Sequence, residues 1–171
     1  MKQNIIPTKN LFPELDNIID YKDLDMVLHN QKDIIIVTTN YHHEINNSLI
    51  ADYITTIEEI DKKNSIGIIE VPGAFEIVYA IKSLIKKCRP KLILAIGCII
   101  KGETKHDDYL SSSIINSIQI ISHEYVIPII NGILTTNTLE QAIDRAGKKY
   151  RKGKEYALAS IDMLALAKSL D

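Results

Sequence analysis

Between Lys101 and Asp108 the chain sets Lys101, Glu103, Thr104, Lys105, His106, Asp107 and Asp108 within eight positions. An imidazole beside a lysine and a threonine suits general acid–base work near neutral pH. Thr104 and the backbone N–H groups ahead of a helix suit an anion. A solvated loop histidine is the plain alternative. Three further stretches carry groups that could share a site. Thr38-Thr39-Asn40-Tyr41-His42-His43 offers in Tyr41 a flat face for a planar heterocycle, or a loop tyrosine packing on its neighbours. Val71-Pro72-Gly73-Ala74-Phe75-Glu76 combines a glycine that admits close approach to the backbone with a carboxylate able to accept from the hydroxyls of a polyol. Glu76 could equally be a first-turn acid favoured by the helix dipole. Arg145 to Lys154 holds six of the 20 basic residues, Arg145, Lys148, Lys149, Arg151, Lys152 and Lys154. A phosphate ester is a sensible target, with Arg145 as forked donor; a solvated basic turn is the other reading.

The elements that must position these groups follow from apolar periodicity. Strands are expected at Ile34–Val37, Ser65–Val71, Leu92–Ile96 and Ile127–Ile130, the last ending at Asn131-Gly132. Helices are expected at Ser48–Ile60, from Pro72-Gly73 to Pro90, at Asp108–Glu124, after a Thr138 cap, and from Lys154 to Ser169. Strand and helix alternate four times through short connections. That rhythm predicts an α/β fold: a four-stranded parallel sheet between two helical layers, a flavodoxin-like three-layer αβα sandwich. Loops at the carboxyl ends of the strands are where such a sheet binds ligands, and all four stretches above are expected to converge there. Residues 33–171 form one domain. Residues 1–32, broken by Pro7 and Pro13, form an extension: an appended helix, an arm on a neighbouring subunit, or a partly ordered tail. Much of the aliphatic surface of so small a sheet would be buried against copies of itself, so a homo-oligomer is expected.

Composition narrows the function. Twenty basic against 22 acidic residues argue against a nucleic-acid partner. No apolar run reaches membrane-spanning length and no signal-peptide core opens the chain, so no membrane partner and a cytoplasmic location are expected. Cys88 and Cys98, the two cysteines, are expected to be free thiols. His29, His42, His43, His106 and His123 show no metal-ligand spacing, so no metal is expected. Neither a G-x-G-x-x-G nor a Walker-type glycine loop occurs, which excludes dinucleotide oxidoreductases and P-loop NTPases. No G-x-S-x-G elbow points to covalent catalysis.

Three segments in order carry a resemblance. Val71-Pro72-Gly73-Ala74-Phe75-Glu76 is similar to the V-P-G-A-F-E segment of lumazine synthases. Gly97 through His106 resembles their G-x-x-I-[RK]-G-x-T-x-H segment. Asn131-Gly132-Ile133-Leu134-Thr135-Thr136, followed by Leu139 through Gly147, resembles their G-[IV]-L-T-T and E-Q-A-x-x-R-A-G stretch. The likeness runs from about Ile34 to the C-terminus. It implies a transferase of riboflavin biosynthesis that condenses 5-amino-6-(D-ribitylamino)uracil with 3,4-dihydroxy-2-butanone 4-phosphate, releasing phosphate and water, with no cofactor. By motif match, Tyr41 would stack on the pyrimidine, with His42 beside it where the family usually has Asn. Ala74 and Glu76 would hold the ribityl chain, and Ile99 and Ile100 the uracil edge. Gly73, Phe75 and Cys98 lie within the matched segments and join the substrate-binding set. Gly102, Glu103 and Thr104 would meet the phosphate, as would Arg145 from an adjacent subunit. Lys152 matches a further basic residue, in a loop one residue shorter. His106 would transfer protons. The resemblance implies a pentamer with sites between subunits, some members forming a 60-subunit shell.

Departures stand beside it. Asn40 replaces a common Arg, and Asn131 stands where many members carry a Phe from the neighbouring subunit. Two other functions remain on the same fold. One is the archaeal-type riboflavin synthase reaction, which has no phosphate ester to hold; the other is a flavin- or lumazine-binding carrier.

Overall fold

Four parallel strands lie in the order β2-β1-β3-β4. The computed structural model describes residues 32–170, so the expected extension at 1–32 lies outside the described residues save for Lys32. In chain order the elements are β1 (Ile34–Thr39), α1 (His43–Ile60), β2 (Ile66–Val71), α2 (Glu76–Cys88), β3 (Leu92–Ile100), α3 (His106–Tyr125), β4 (Ile129–Thr136), α4 (Leu139–Ala146) and α5 (Lys152–Leu170). Parallel register runs Ile34↔Ile66 and Ile34↔Leu92 at one end of β1, and Ile93↔Ile129 between β3 and β4.

The β-branched run Ile34–Val37 is fully buried because both faces of its strand are covered. Ile34 and Ile36 pack with Leu49, Tyr53, Ala142 and Ala157 on the layer of α1, α4 and α5. Ile35 and Val37 pack with Ile77, Ile81, Ile114 and Ile118 on the layer of α2 and α3. Each such side chain contributes about 1.5–3 kcal/mol through the area it removes from water. Asp33 ties the amino ends of three strands. Its carboxylate accepts from the Ser65 N–H (2.9 Å) and hydroxyl (2.7 Å) and pairs with Lys91 (2.7 Å), while its carbonyl accepts the Leu92 N–H. Gly153 lets α5 close on α1: a Cβ there would lie 2.3 Å from the Leu49 carbonyl oxygen.

Several boundaries differ from those expected. β3 runs through Gly97 to Ile100, so Cys98, Ile99 and Ile100 are strand residues. β4 does not stop at Asn131-Gly132 but continues to Thr136. Asn-Gly is a turn signal in isolation. Here Gly132 pairs with Ile96, and a Cβ would sit 2.8 Å from the Ala95 carbonyl oxygen, so the glycine serves close strand approach. Asn131 Oδ1 accepts the N–H of Ile133 along this edge strand, at 3.1 Å. α1 begins at His43 and α3 at His106, each earlier than its apolar periodicity indicates. Thr138 does cap α4, its hydroxyl accepting the Gln141 N–H at 3.3 Å.

Candidate functional site

The chain leaves β1, β2 and β3 on the same side of the sheet, and the three turns enclose a pocket of about 490 Å³. The β1–α1 turn supplies Tyr41 and His42, and the β2–α2 turn and first residue of α2 supply Gly73, Ala74, Phe75 and Glu76. β3 and its loop supply Cys98, Ile99, Ile100, Gly102, Thr104 and His106, and the first turns of α3 add Asp107 and Leu110. β1 and β3 are neighbours although β2 intervenes in sequence. Chain connections therefore diverge above the β1–β3 pair, which opens the crevice.

Local geometry sets each wall. His42 adopts a left-handed conformation (φ 53°, ψ 42°) at the start of α1, which turns the chain sharply after β1. Asn46, on the first turn of α1 and 1% exposed, holds that turn. Its Nδ2 donates to the Thr39 carbonyl (3.0 Å), the Thr39 hydroxyl (3.1 Å) and the Tyr41 carbonyl (2.9 Å). Tyr41 is left 68% exposed, with the His42 ring edge-on to it at 5.4 Å. Burial holds the His42 imidazole below its ordinary pKa, so its neutral form is favoured. Across the pocket the Glu76 carboxylate lies over Gly73; a Cβ at 73 would come 2.9 Å from Glu76 Oε2. Burial pushes the Cys98 thiol up to about 11, so it is an apolar part of the wall and not a nucleophile at neutral pH.

The Lys101–His106 loop is tied at both ends. The Lys101 N–H donates to the Thr136 carbonyl at 2.8 Å. The Thr104 hydroxyl oxygen accepts the His106 N–H (3.3 Å), and Asp107 Oδ1 accepts the Gly102 N–H (3.2 Å). His106 is exposed at the pocket wall, at the amino end of the 20-residue α3. The helix dipole there favours negative charge. Among the described residues no group of three or more His, Cys, Asp or Glu side chains could hold a metal ion.

The remaining sequence candidates lie elsewhere. Glu103 is in the same loop but does not line the pocket, and Asn131 is in mid-strand on β4. The basic stretch, expected from sequence to be the fourth strand-end loop, instead follows α4, so three strand ends and not four form the pocket of one chain. Ion pairs engage part of that stretch: Lys149 with Asp144, Arg151 with Asp52, and Lys152 with Glu155. Arg151 anchors the start of α5, where Asp52 also accepts the Lys154 N–H at 2.8 Å. Arg145 donates to the Gln141 carbonyl of its own helix (3.0 Å) and lies over the Tyr150 ring, away from the pocket of its own chain.

Sequence reasoning missed Asn46, Asp107 and Leu110. Asn46 had a visible signal: it is a polar residue on the stripe formed by Ile45, Leu49, Ile50 and Tyr53. Asp107 reads locally as a first-turn acid, and only the fold brings it back to Gly102.

A parallel α/β sheet with its pocket at the switch between β1 and β3 defines a flavodoxin-like small-molecule-binding protein. Residues 31–168 match the family model described as 6,7-dimethyl-8-ribityllumazine synthase. A protein of that name from Prochlorococcus marinus (strain MIT 9215) is 37% identical over 141 residues, covering 80% of this chain and 89% of the relative. One from Campylobacter jejuni subsp. doylei is 37% identical over 156 residues, covering 90% and 99%. The chain belongs to the 6,7-dimethyl-8-ribityllumazine synthase family.

Proposed function

We propose that this pocket makes 6,7-dimethyl-8-ribityllumazine from 5-amino-6-(D-ribitylamino)uracil and 3,4-dihydroxy-2-butanone 4-phosphate. The observation that carries the assignment of roles is the convergence of Tyr41, Glu76 and His106, from three distant turns, on one cavity. Tyr41 and His42 face the pyrimidine; Gly73, Ala74, Phe75 and Glu76 take the ribityl chain; Cys98, Ile99 and Ile100 form the floor beneath the ring. Gly102, Glu103 and Thr104 meet the phosphate, and His106 moves the protons of carbinolamine formation and phosphate loss. Most of the acceleration comes from holding two substrates in register, worth up to about 7–11 kcal/mol. His106 adds about 10²–10⁴-fold.

The site is completed by a second copy of the chain. The loop after β3 sets two lysines against Glu103, Asp107 and Asp108, too little positive charge for a phosphate dianion. Arg145 therefore serves the phosphate of the neighbouring subunit's pocket in a homo-oligomer, a pentamer or a shell of pentamers, with Lys152 as a further basic residue and Asn131 as a polar contact to the ring. Exposed Phe75, Tyr79, Tyr109 and Ile120 beside α2 and α3 support such a contact. Among the described residues no helix is long and apolar enough to cross a membrane. Free, buried Cys88 and Cys98 support a reducing, cytoplasmic setting. The catalytic domain is assigned to residues 33–171. The test is to supply purified protein with both substrates and follow lumazine absorbance and released phosphate. Equal amounts of the two are expected; flavin binding without turnover would contradict the assignment.

A further inference from the structure

Asp107 crosses the mouth of the phosphate loop. Its Oδ1 accepts the Gly102 N–H at 3.2 Å, and both residues line the pocket. A carboxylate on a backbone amide at a helix start is chemically what a phosphate oxygen would be there: an anionic acceptor favoured by the same N–H and the same dipole. Among the described residues no ion pair neutralises Asp107. An arriving phosphate must take that amide from the carboxylate, and then lies against a second negative charge.

Resting on the proposed synthase reaction, we propose that Asp107 is an internal competitor for the phosphate subsite. It weakens capture of the phosphate ester and returns to the Gly102 amide when inorganic phosphate has been released, helping to expel that product. Asp107 is thus a specificity-determining residue whose effect is on the charged substrate and not on the aminouracil.

The probe is inorganic phosphate, titrated calorimetrically into the full-length assembled protein. Asp107→Asn keeps an acceptor for the Gly102 N–H and removes the charge; Asp107→Ala removes both. Both variants should bind phosphate about three- to tenfold more tightly than wild type at low salt. The gain should shrink as salt screens the repulsion. The ratio of the two substrates' KM values should shift in the same sense. A residue that only props the turn would give weaker binding in Asp107→Ala, no gain in Asp107→Asn and no salt dependence. Any of those results overturns the proposal. Phosphate binding absent from wild type and both variants alike overturns the underlying functional reading as well, whereas binding equal in all three proteins overturns this proposal alone.

Discussion

Asn46 is expected to matter more to the pyrimidine subsite than its distance from the chemistry indicates. Asn46→Ala removes an Nδ2 amide whose two hydrogens are shared among the Thr39 carbonyl, the Thr39 hydroxyl and the Tyr41 carbonyl, at 2.9–3.1 Å. At about 0.5–1.5 kcal/mol for each of two bonds the gross loss is about 1–3 kcal/mol. Asn46 Oδ1 finds no partner among the described residues, so truncation also removes one desolvated acceptor. The net loss should be about 1–2 kcal/mol, read by denaturant unfolding at fixed protein concentration. Freed from its clamp, the turn no longer holds the Tyr41 ring in place. Stacking is worth about 0.5–1.5 kcal/mol beyond burial, so KM for the aminouracil should rise about three- to tenfold. KM for the phosphate ester should move far less. Asn46→Asp is a sharper control: it is nearly isosteric but turns an acceptor toward two carbonyl oxygens, and should cost more than Asn46→Ala. An unchanged unfolding midpoint with both KM values unaltered would refute the clamp.

Three other outcomes are expected. Gly153→Ala should separate α5 from α1 and cost about 2 kcal/mol or more, visible as a lower midpoint, because the new Cβ meets the Leu49 carbonyl oxygen at 2.3 Å. His42 has its folded pKa depressed by burial, so the unfolded chain binds the proton first as pH falls through 6.5. Stability should therefore decline from that pH down to the folded value, and His42→Asn should remove that part of the slope; parallel curves for the two proteins would contradict it. His106→Ala should lower kcat about 10²–10⁴-fold while light scattering reports the same assembly. Unchanged turnover would remove His106 from proton transfer.

The sheet was legible because its inner strands are buried on both faces and read as unbroken β-branched runs. Ile34–Val37 and Leu92–Ile96 could be little else. What misled was glycine. Gly97 and Gly132 look like punctuation in a linear reading, yet both lie within paired strands, Gly97 opposite Ile133 and Gly132 opposite Ile96. Only tertiary pairing reveals that use. The pocket wall was legible where a motif carried it, at Gly73–Glu76 and at Gly102–His106. The roles of Asn46 and Asp107 were not, because each depends on a hydrogen bond whose direction the backbone path decides. The basic stretch was read as a strand-end loop because charge enrichment reports no position in the fold; Arg151 proves to anchor α5 through Asp52.

The shared pocket is tested most directly by mixing subunits. His106→Ala and Arg145→Ala proteins are each prepared nearly inactive, unfolded together in equal amounts and reassembled. If His106 of one chain works with Arg145 of its neighbour, about a quarter of the sites in randomly mixed rings carry both native groups, and turnover should return to about that fraction of wild type. Mixed assemblies no more active than either parent would contradict a site built from two copies of the chain.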